Sequence, residues 1–157
     1  MTIPVRPETD RKIDELLGRF PMRGSALLPA LYLVQEEKGH VSDESMEYVA
    51  AKIGVSAAFV AGVVSFYTMF HRRPVGRHHI QVCRTLPCAL RGADDLMAHL
   101  RTRLGIADGQ TRADGAYSLV SVECLGACDR APFIQINADE HGPVDAVLMD
   151  QILKPLE

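Results

Sequence analysis

Four cysteines arranged in two pairs are the feature that most constrains how this 157-residue chain can fold. Cys83 and Cys88 form a C-x4-C pair, and Cys124 and Cys128 form a C-x3-C pair. Each pair directly follows a segment whose sequence predicts a β-strand, so we expect the cysteines on two loops at strand ends. Because a sheet fixes where its strands end, the two loops can face each other across a gap of metal-cluster size.

The donor set favours an iron–sulfur cluster. Four thiolates are what a [2Fe–2S] cluster needs. A structural zinc ion also takes four thiolates, and its usual spacing fits the second pair better than the first, so zinc stays open as an alternative. Neither pair has the C-x-x-C spacing of dithiol redox enzymes, and the plant ferredoxin spacing is absent.

Composition narrows the classes of partner and the compartment. A net charge of −3 with 24% charged residues argues against nucleic acid as the main partner, because phosphate binding needs clustered Lys and Arg. The longest apolar run, residues 57–64, is too short to span a bilayer. The first residues lack the apolar segment of a signal peptide. We therefore expect a soluble, cytoplasmic chain whose cysteines remain reduced.

Residues 1–75 predict a bundle of four short helices. The first carries an apolar stripe at helical spacing, made by Ile13, Leu16, Leu17 and Phe20. Three serines are candidate N-caps of the helices that follow, and two glycines are candidate helix ends. These residues are Ser25, Ser42, Ser56, Gly39 and Gly54.

The fourth predicted helix is rich in large apolar residues. Its inward face is predicted to hold Phe59, Val60, Val63, Val64 and Tyr67. Phe66, Tyr67 and Phe70 could form a docking patch for a partner, but their spacing favours packing in the core.

Residues 76–157 follow a Pro- and Gly-containing linker and predict a compact α/β domain with a mixed sheet. The predicted strands are Ile80–Cys83, Tyr117–Glu123, Phe133–Asn137 and a short one at Val144, after a turn at Asp139–Gly142. The predicted helices are Ala93–Leu104 and one that begins near Ala146. The fold class is thus α+β, with the Ala131–Pro132 bond expected to be trans.

Both cysteine motifs resemble those of a known family. The motif Cys83-Arg84-Thr85-Leu86-Pro87-Cys88, followed by Leu-Arg-Gly, and the run Val-Glu-Cys-Leu-Gly-Ala-Cys-Asp at 122–129 are similar to the thioredoxin-like [2Fe–2S] subunit of respiratory complex I, the NuoE family. In the helical half, residues 35–41 and 64–70 resemble that family's N-terminal segments.

The resemblance implies an electron-transfer subunit with one [2Fe–2S] cluster, held by Cys83, Cys88, Cys124 and Cys128, after an N-terminal helical bundle. It implies no catalytic residues in this chain. FMN and NADH would bind to a larger flavoprotein partner within NADH:quinone oxidoreductase, among other peripheral-arm subunits. The complex would attach the chain to the cytoplasmic side of the inner membrane without inserting it. Related subunits of NAD-linked formate dehydrogenases and hydrogenases are the alternative.

Charged and imidazole side chains flank the cysteines. Positive charge near a cluster should raise its reduction potential and negative charge should lower it, although a solvated surface role is an equal alternative. The charged neighbours are Arg84, Arg91, Glu123, Asp129 and Arg130. His78 and His79 are expected to be structural or surface residues, because four cysteines already complete a ligand set.

Overall fold

The computed structural model describes residues 5–156. These residues divide into two compact units, one that ends at Pro74 and one that begins at Val75. The first unit is helical, and the second combines a five-stranded mixed sheet with helices. The α+β class predicted from the sequence is confirmed.

The helical unit contains four α-helices and a short 3-10 turn at Arg23–Ala26. The helices are α1 (Pro7–Arg19), α2 (Leu27–Lys38), α3 (Asp43–Ile53) and α4 (Ala57–Phe66). Their apolar stripes meet in one core, since burial of aliphatic side chains is the main favourable contribution to packing helices together. Fully buried members of that core are Ile13, Leu31, Val34, Val41, Val49 and Val60.

Two of the three predicted serine caps are confirmed. The Ser42 hydroxyl accepts a hydrogen bond from the Ser45 N–H at 3.2 Å, and the Ser56 hydroxyl accepts one from the Phe59 N–H at 3.2 Å. Gly54 ends α3 in the left-handed region, as predicted. The prediction for Ser25 is wrong, because Ser25 lies inside the 3-10 turn and the chain enters α2 from backbone that is already helical.

The inward face of α4 differs from the prediction. Val60 and Val64 are buried, but Phe59 is 56% exposed and Phe66 is 76% exposed. Tyr67 is 36% exposed, whereas Phe70 is buried as expected. The helix is apolar on nearly every side, so its sequence period does not define which face turns inward.

A buried carboxylate links the chain before α1 to α2. Glu37 accepts hydrogen bonds from the Arg6 N–H at 3.0 Å and lies 3.1 Å from the Lys38 ammonium group. Burial raises the pKa of Glu37, but hydrogen bonds from the Thr9 hydroxyl, the Arg6 N–H and Lys38 outweigh it and lower the pKa to about 2. The ionised form is therefore the one that the fold stabilises.

This arrangement predicts an acid-sensitive step in stability. Because the folded pKa lies below the ordinary value of 4.5, the contribution of Glu37 is present above about pH 4.5 and is lost as pH falls towards about 2. Glu37→Gln should lower the free energy of unfolding by about 1–2 kcal/mol at neutral pH. It should also reduce the fall in this free energy between pH 4.5 and pH 2. Urea unfolding across this pH range measures both effects. Glu36→Gln, a change at the exposed neighbour, is the matched control, and an equal pH profile in the two variants would contradict the assignment.

The second unit is built on a sheet in the order β2-β3-β1-β4-β5. β1 pairs in parallel with β3, and the other neighbouring pairs are antiparallel. The strands are β1 (His78–Cys83), β2 (Gln110–Thr111), β3 (Tyr117–Val122), β4 (Ile134–Ile136) and β5 (Asp139–His141). The central position of β1 explains its burial on both faces.

Three helices complete this unit. They are α5 (Leu86–Leu90), α6 (Ala93–Leu104) and α7 (Ala146–Leu153). The bounds of α6 match the prediction, and α6 packs on β1, β3 and α7. The core between sheet and helices contains the fully buried residues Ile80, Leu100, Leu119, Ile134 and Met149.

The segment after the second cysteine pair corrects three predictions. Residues expected as a turn form β5, and Val144 is buried but belongs to no strand. Pairing with β4 explains the difference, since Ile136 and Asp139 lie opposite each other and leave only a tight connection between the strands. The Ala131–Pro132 peptide bond is cis.

Among residues 5–156, no single helix is long and apolar enough to cross a membrane. Only α3 and α4 taken together pass that test, and they are bent by 119°.

Candidate metal centre

Parallel pairing of β1 and β3 brings the two cysteine motifs to one edge of the sheet. Cys83 is the last residue of β1 and lies opposite Val122, the last residue of β3. The Arg84 N–H continues the pairing with a 3.0 Å hydrogen bond to the Val122 carbonyl. Cys124 follows two residues after Val122, so both pairs begin at this edge.

The first pair is buried and is not carried by a simple loop. Cys88 lies within α5, a short helix that the sequence analysis did not predict, and Cys83 and Cys88 are each 2% exposed. The Cys83 Sγ lies 3.3 Å from the Thr85 hydroxyl. The Cys83 backbone N–H donates to the Phe133 carbonyl at 3.1 Å. β1 and β4 thus fix Cys83, and α5 carries Cys88 back towards it.

The second pair is exposed and lies on a tight turn. Cys128 begins a 3-10 turn (Cys128–Arg130), and its Sγ is 3.9 Å from the Cys124 Sγ. Gly126 adopts a left-handed conformation with φ 81°, which places its N–H 3.3 Å from the Cys124 Sγ. Gly126 therefore lets the backbone pass close to the Cys124 sulfur.

The two pairs interact with each other. Burial raises the pKa of the Cys83 thiol, but hydrogen bonds from Thr85, from the Leu125 backbone N–H and from Cys88 lower it overall. The pKa of Cys88 is raised, first by burial and then by Cys83, with a smaller effect from Cys128. The pKa of Cys128 is raised by Cys124 above all, and also by Cys83. Leu125, in the second motif, therefore donates to a sulfur of the first.

This donor set fits a two-metal cluster. In a [2Fe–2S] centre each iron takes two protein ligands, which two thiol pairs supply. The 3.9 Å between Cys124 and Cys128 Sγ is close to the separation of about 3.8 Å that two thiolates have on one tetrahedral ion. Within residues 5–156, no group of three or more His, Cys, Asp or Glu side chains is arranged around a single ion.

Two ion pairs surround the cysteines. The Arg84 Nη2 lies 2.6 Å from the Glu123 carboxylate, and the Arg130 Nη2 lies 3.2 Å from that of Glu140. The first pair joins the residue after Cys83 to the residue before Cys124. The flanking charges predicted from the sequence therefore include one direct link between the two motifs.

The neighbouring histidines have roles in the fold. His79 is buried, and its Nδ1 lies 2.7 Å from the Ser118 hydroxyl on β3. The His78 ring packs near that of Tyr117, with centroids 5.3 Å apart. This agrees with the expectation that both are structural or surface residues.

Sequence reasoning missed the groups that contact the sulfurs. The Thr85 hydroxyl belongs to the first motif, but only its distance of 3.3 Å from the Cys83 sulfur reveals its role. The Leu125 N–H belongs to the second motif, and its effect on the pKa of Cys83 is not visible in the sequence. Leu86 and Leu90, both on α5, are 70% and 77% exposed. Their exposure could not be predicted, because α5 is too short for its sequence to show which side faces solvent.

Known proteins match this sequence over most of its length. A family model described as thioredoxin-like [2Fe-2S] ferredoxin matches residues 13–157. A protein of Rhizobium meliloti, named as a subunit of NADH-quinone oxidoreductase, is 44% identical over 91% of this chain and 85% of its own length. A protein of Thermus thermophilus, also named as a subunit of NADH-quinone oxidoreductase, is 40% identical over 82% of this chain and 72% of its own length.

A solved structure supports the fold independently. The crystal structure of an NAD+-reducing [NiFe]-hydrogenase in the air-oxidized state matches with a TM-score of 0.72 and 24% identity. The match covers 83% of this chain but only 22% of the hydrogenase chain, and at this identity it shows the fold alone. The family model and the relatives lead to one conclusion. The chain belongs to the thioredoxin-like [2Fe-2S] ferredoxin family.

Proposed function

We propose that this chain is the [2Fe–2S] electron-transfer subunit of an NADH:quinone oxidoreductase, with Cys83, Cys88, Cys124 and Cys128 as the four ligands. The observation that carries the proposal is the parallel pairing of β1 with β3, which brings both thiol pairs to the same edge of the sheet. Membership of the family favours a cluster over the zinc alternative. The curated relatives are named as subunits of NADH-quinone oxidoreductase.

The protein supplies ligands, hydrogen bonds and a defined degree of burial. A [2Fe–2S] cluster bound by the four cysteines would supply one-electron redox chemistry. Cys83 and Cys88 would hold one end away from water, and Cys124 and Cys128 would hold the other at the surface. N–H groups of Leu125 and Gly126 donate to sulfurs, which stabilises negative charge there.

A flavoprotein partner is part of the proposal. NADH delivers two electrons as hydride, so a one-electron centre needs a flavin on another subunit, which would also bind the NADH. Exposed Leu86 and Leu90 beside Cys88 support a face that a partner covers. Through such a partner the chain would join the peripheral arm of the complex, at the cytoplasmic side of the inner membrane.

A reconstitution experiment tests the proposed function. The cluster-loaded chain is mixed anaerobically with NADH, with and without the FMN-binding subunit of the same organism's NADH-quinone oxidoreductase. We expect the visible absorbance of this chain to bleach only when that subunit is present. Bleaching with the flavoprotein of an NAD-linked formate dehydrogenase or hydrogenase, but not with this one, would replace the proposal by its alternative.

The ion pair between Arg84 and Glu123 leads to a prediction for the reduction potential. Arg84→Glu replaces a salt bridge by two adjacent negative charges between the cysteine motifs, which should lower the midpoint potential by on the order of ten millivolts or more at low salt. Glu123→Gln should shift the potential in the opposite direction. Potentiometric titration followed by visible absorbance measures both variants, and no shift in either would remove the pair from the electrostatics of the site.

A further inference from the structure

The two cysteine pairs differ sharply in access to solvent. Cys83 and Cys88 are buried at 2% exposure, behind the sheet edge and α5, while Cys124 and Cys128 are both exposed. Small oxidants and disulfides reach exposed thiols far more readily than buried ones. A chain without its cluster therefore presents one buried pair and one accessible pair.

The exposed pair is also placed for bond formation. The two Sγ atoms are 3.9 Å apart on a turn of three intervening residues. Gly126 permits the left-handed bend of that turn, and its N–H holds the Cys124 sulfur on the side that faces Cys128. Both side chains are exposed, and their sulfurs must close from 3.9 Å to the disulfide bond length of about 2.05 Å.

We propose that in the cluster-free chain Cys124 and Cys128 form a reversible disulfide, while Cys83 and Cys88 remain thiols. The reaction with glutathione disulfide proceeds in two exchanges. One cysteine thiolate attacks the small disulfide and releases one glutathione thiol, and the second cysteine then displaces the other glutathione. Two cysteine thiols are oxidised to one disulfide, and one glutathione disulfide is reduced to two thiols.

The consequence rests on the proposed function. The oxidised chain lacks the two surface thiolates of the proposed ligand set, so it cannot complete a four-cysteine site until a thiol reductant reopens the bond. The closed form also keeps both sulfurs at an oxidation level that reduction can reverse, below the sulfinic acid that is not readily repaired.

The sequence makes the disulfide simple to locate. Trypsin cleaves after Arg and Lys, so Cys124 and Cys128 fall together in the peptide 113–130. Cys83 falls in the peptide 78–84 and Cys88 in the peptide 85–91. A bond between Cys124 and Cys128 therefore stays within one peptide, and any other disulfide joins two peptides.

The experiment uses the full chain, stripped of iron anaerobically with a chelator and reductant and then desalted. The chain is treated with glutathione disulfide and desalted. The remaining thiols are then blocked with N-ethylmaleimide in urea, where Cys83 and Cys88 are accessible, and the masses of the tryptic peptides are measured. We expect the peptide 113–130 to lose two hydrogens and carry no blocking group, and the peptides 78–84 and 85–91 each to carry one. Dithiothreitol before blocking should restore all four thiols. A link between peptides 78–84 and 85–91, or four blocked thiols after oxidation, would overturn the inference.

Two controls separate the inference from other causes. In the urea-unfolded chain all four cysteines should react, because the protection of Cys83 and Cys88 depends on the fold, and selective reaction there would contradict the argument from burial. Cys128→Ser should leave a stable glutathione adduct on the peptide 113–130, with circular dichroism to verify folding.

A separate measurement tests the proposed function on the same preparation. Iron-free chain that has not been oxidised is given ferrous iron and sulfide. Failure to take up two irons and two sulfides would overturn the proposed function and leave the disulfide assignment standing.

Discussion

Replacing Cys83 by alanine should abolish retention of the cluster. Cys83 is fixed by backbone pairing on both sides of β1 and is buried, so water cannot take the place of its sulfur. Changes in groups that only support metal ligands typically cost 10–100-fold in metal affinity, so loss of a ligand itself should cost more than about 100-fold. Iron, acid-labile sulfide and visible absorbance per chain should fall to background.

Thr85→Val is the matched control for this loss. It removes the hydroxyl 3.3 Å from the Cys83 sulfur but keeps all four cysteines. We expect it to retain iron and sulfide and to shift only the reduction potential, since one hydrogen bond to sulfur is lost. Normal iron and sulfide in Cys83→Ala would contradict the role assigned to Cys83. So would an equal loss of both in Cys83→Ala and Thr85→Val.

Gly76→Ala should destabilise the second unit by about 3 kcal/mol. Gly76 is buried against β3, and its N–H donates to the Ser118 hydroxyl at 3.1 Å. A Cβ there would lie 2.7 Å from the Ser118 nitrogen and 2.8 Å from the Tyr117 Cα, closer than such atoms can approach. Both contacts are with backbone, so the strand itself must shift, which places the cost at the upper end of that for overpacked sites.

Gly109→Ala is the control in the same unit. Gly109 has open space around its Cα but a φ of 78°, so alanine there should cost about 1–2 kcal/mol from backbone conformation alone. Urea unfolding followed by circular dichroism compares the two variants. If Gly76→Ala lowered the free energy of unfolding by no more than Gly109→Ala does, the close contact between residue 76 and β3 would be contradicted.

Local signals predicted most of the secondary structure. Ser42 stands before the amphipathic run of α3, and Ser56 stands before the apolar run of α4. Gly54 ends α3 where the apolar stripe ends. Ser25 misled because a 3-10 turn precedes α2, so the first turn needs no serine side chain. α5 was missed since a helix of five residues is too short to show a period.

Sequence patterns could not predict which residues lie together in the fold. The motifs specify four thiols after two strands, but only the parallel pairing of β1 with β3 places both strand ends at one edge. The exposure of Phe66 and the burial of Phe70 illustrate the same point in the helical unit, because both residues continue one apolar pattern. Which side of such a segment faces the core is decided by the neighbouring helices.

Analysis of iron and acid-labile sulfide in the anaerobically purified chain tests the central claim most directly. We expect two irons and two sulfides per chain, with visible absorption bands that bleach on addition of dithionite. One zinc per chain, with no sulfide and no visible absorbance, in protein produced with ample iron and intact cluster assembly, would contradict the account and leave a structural zinc site in its place.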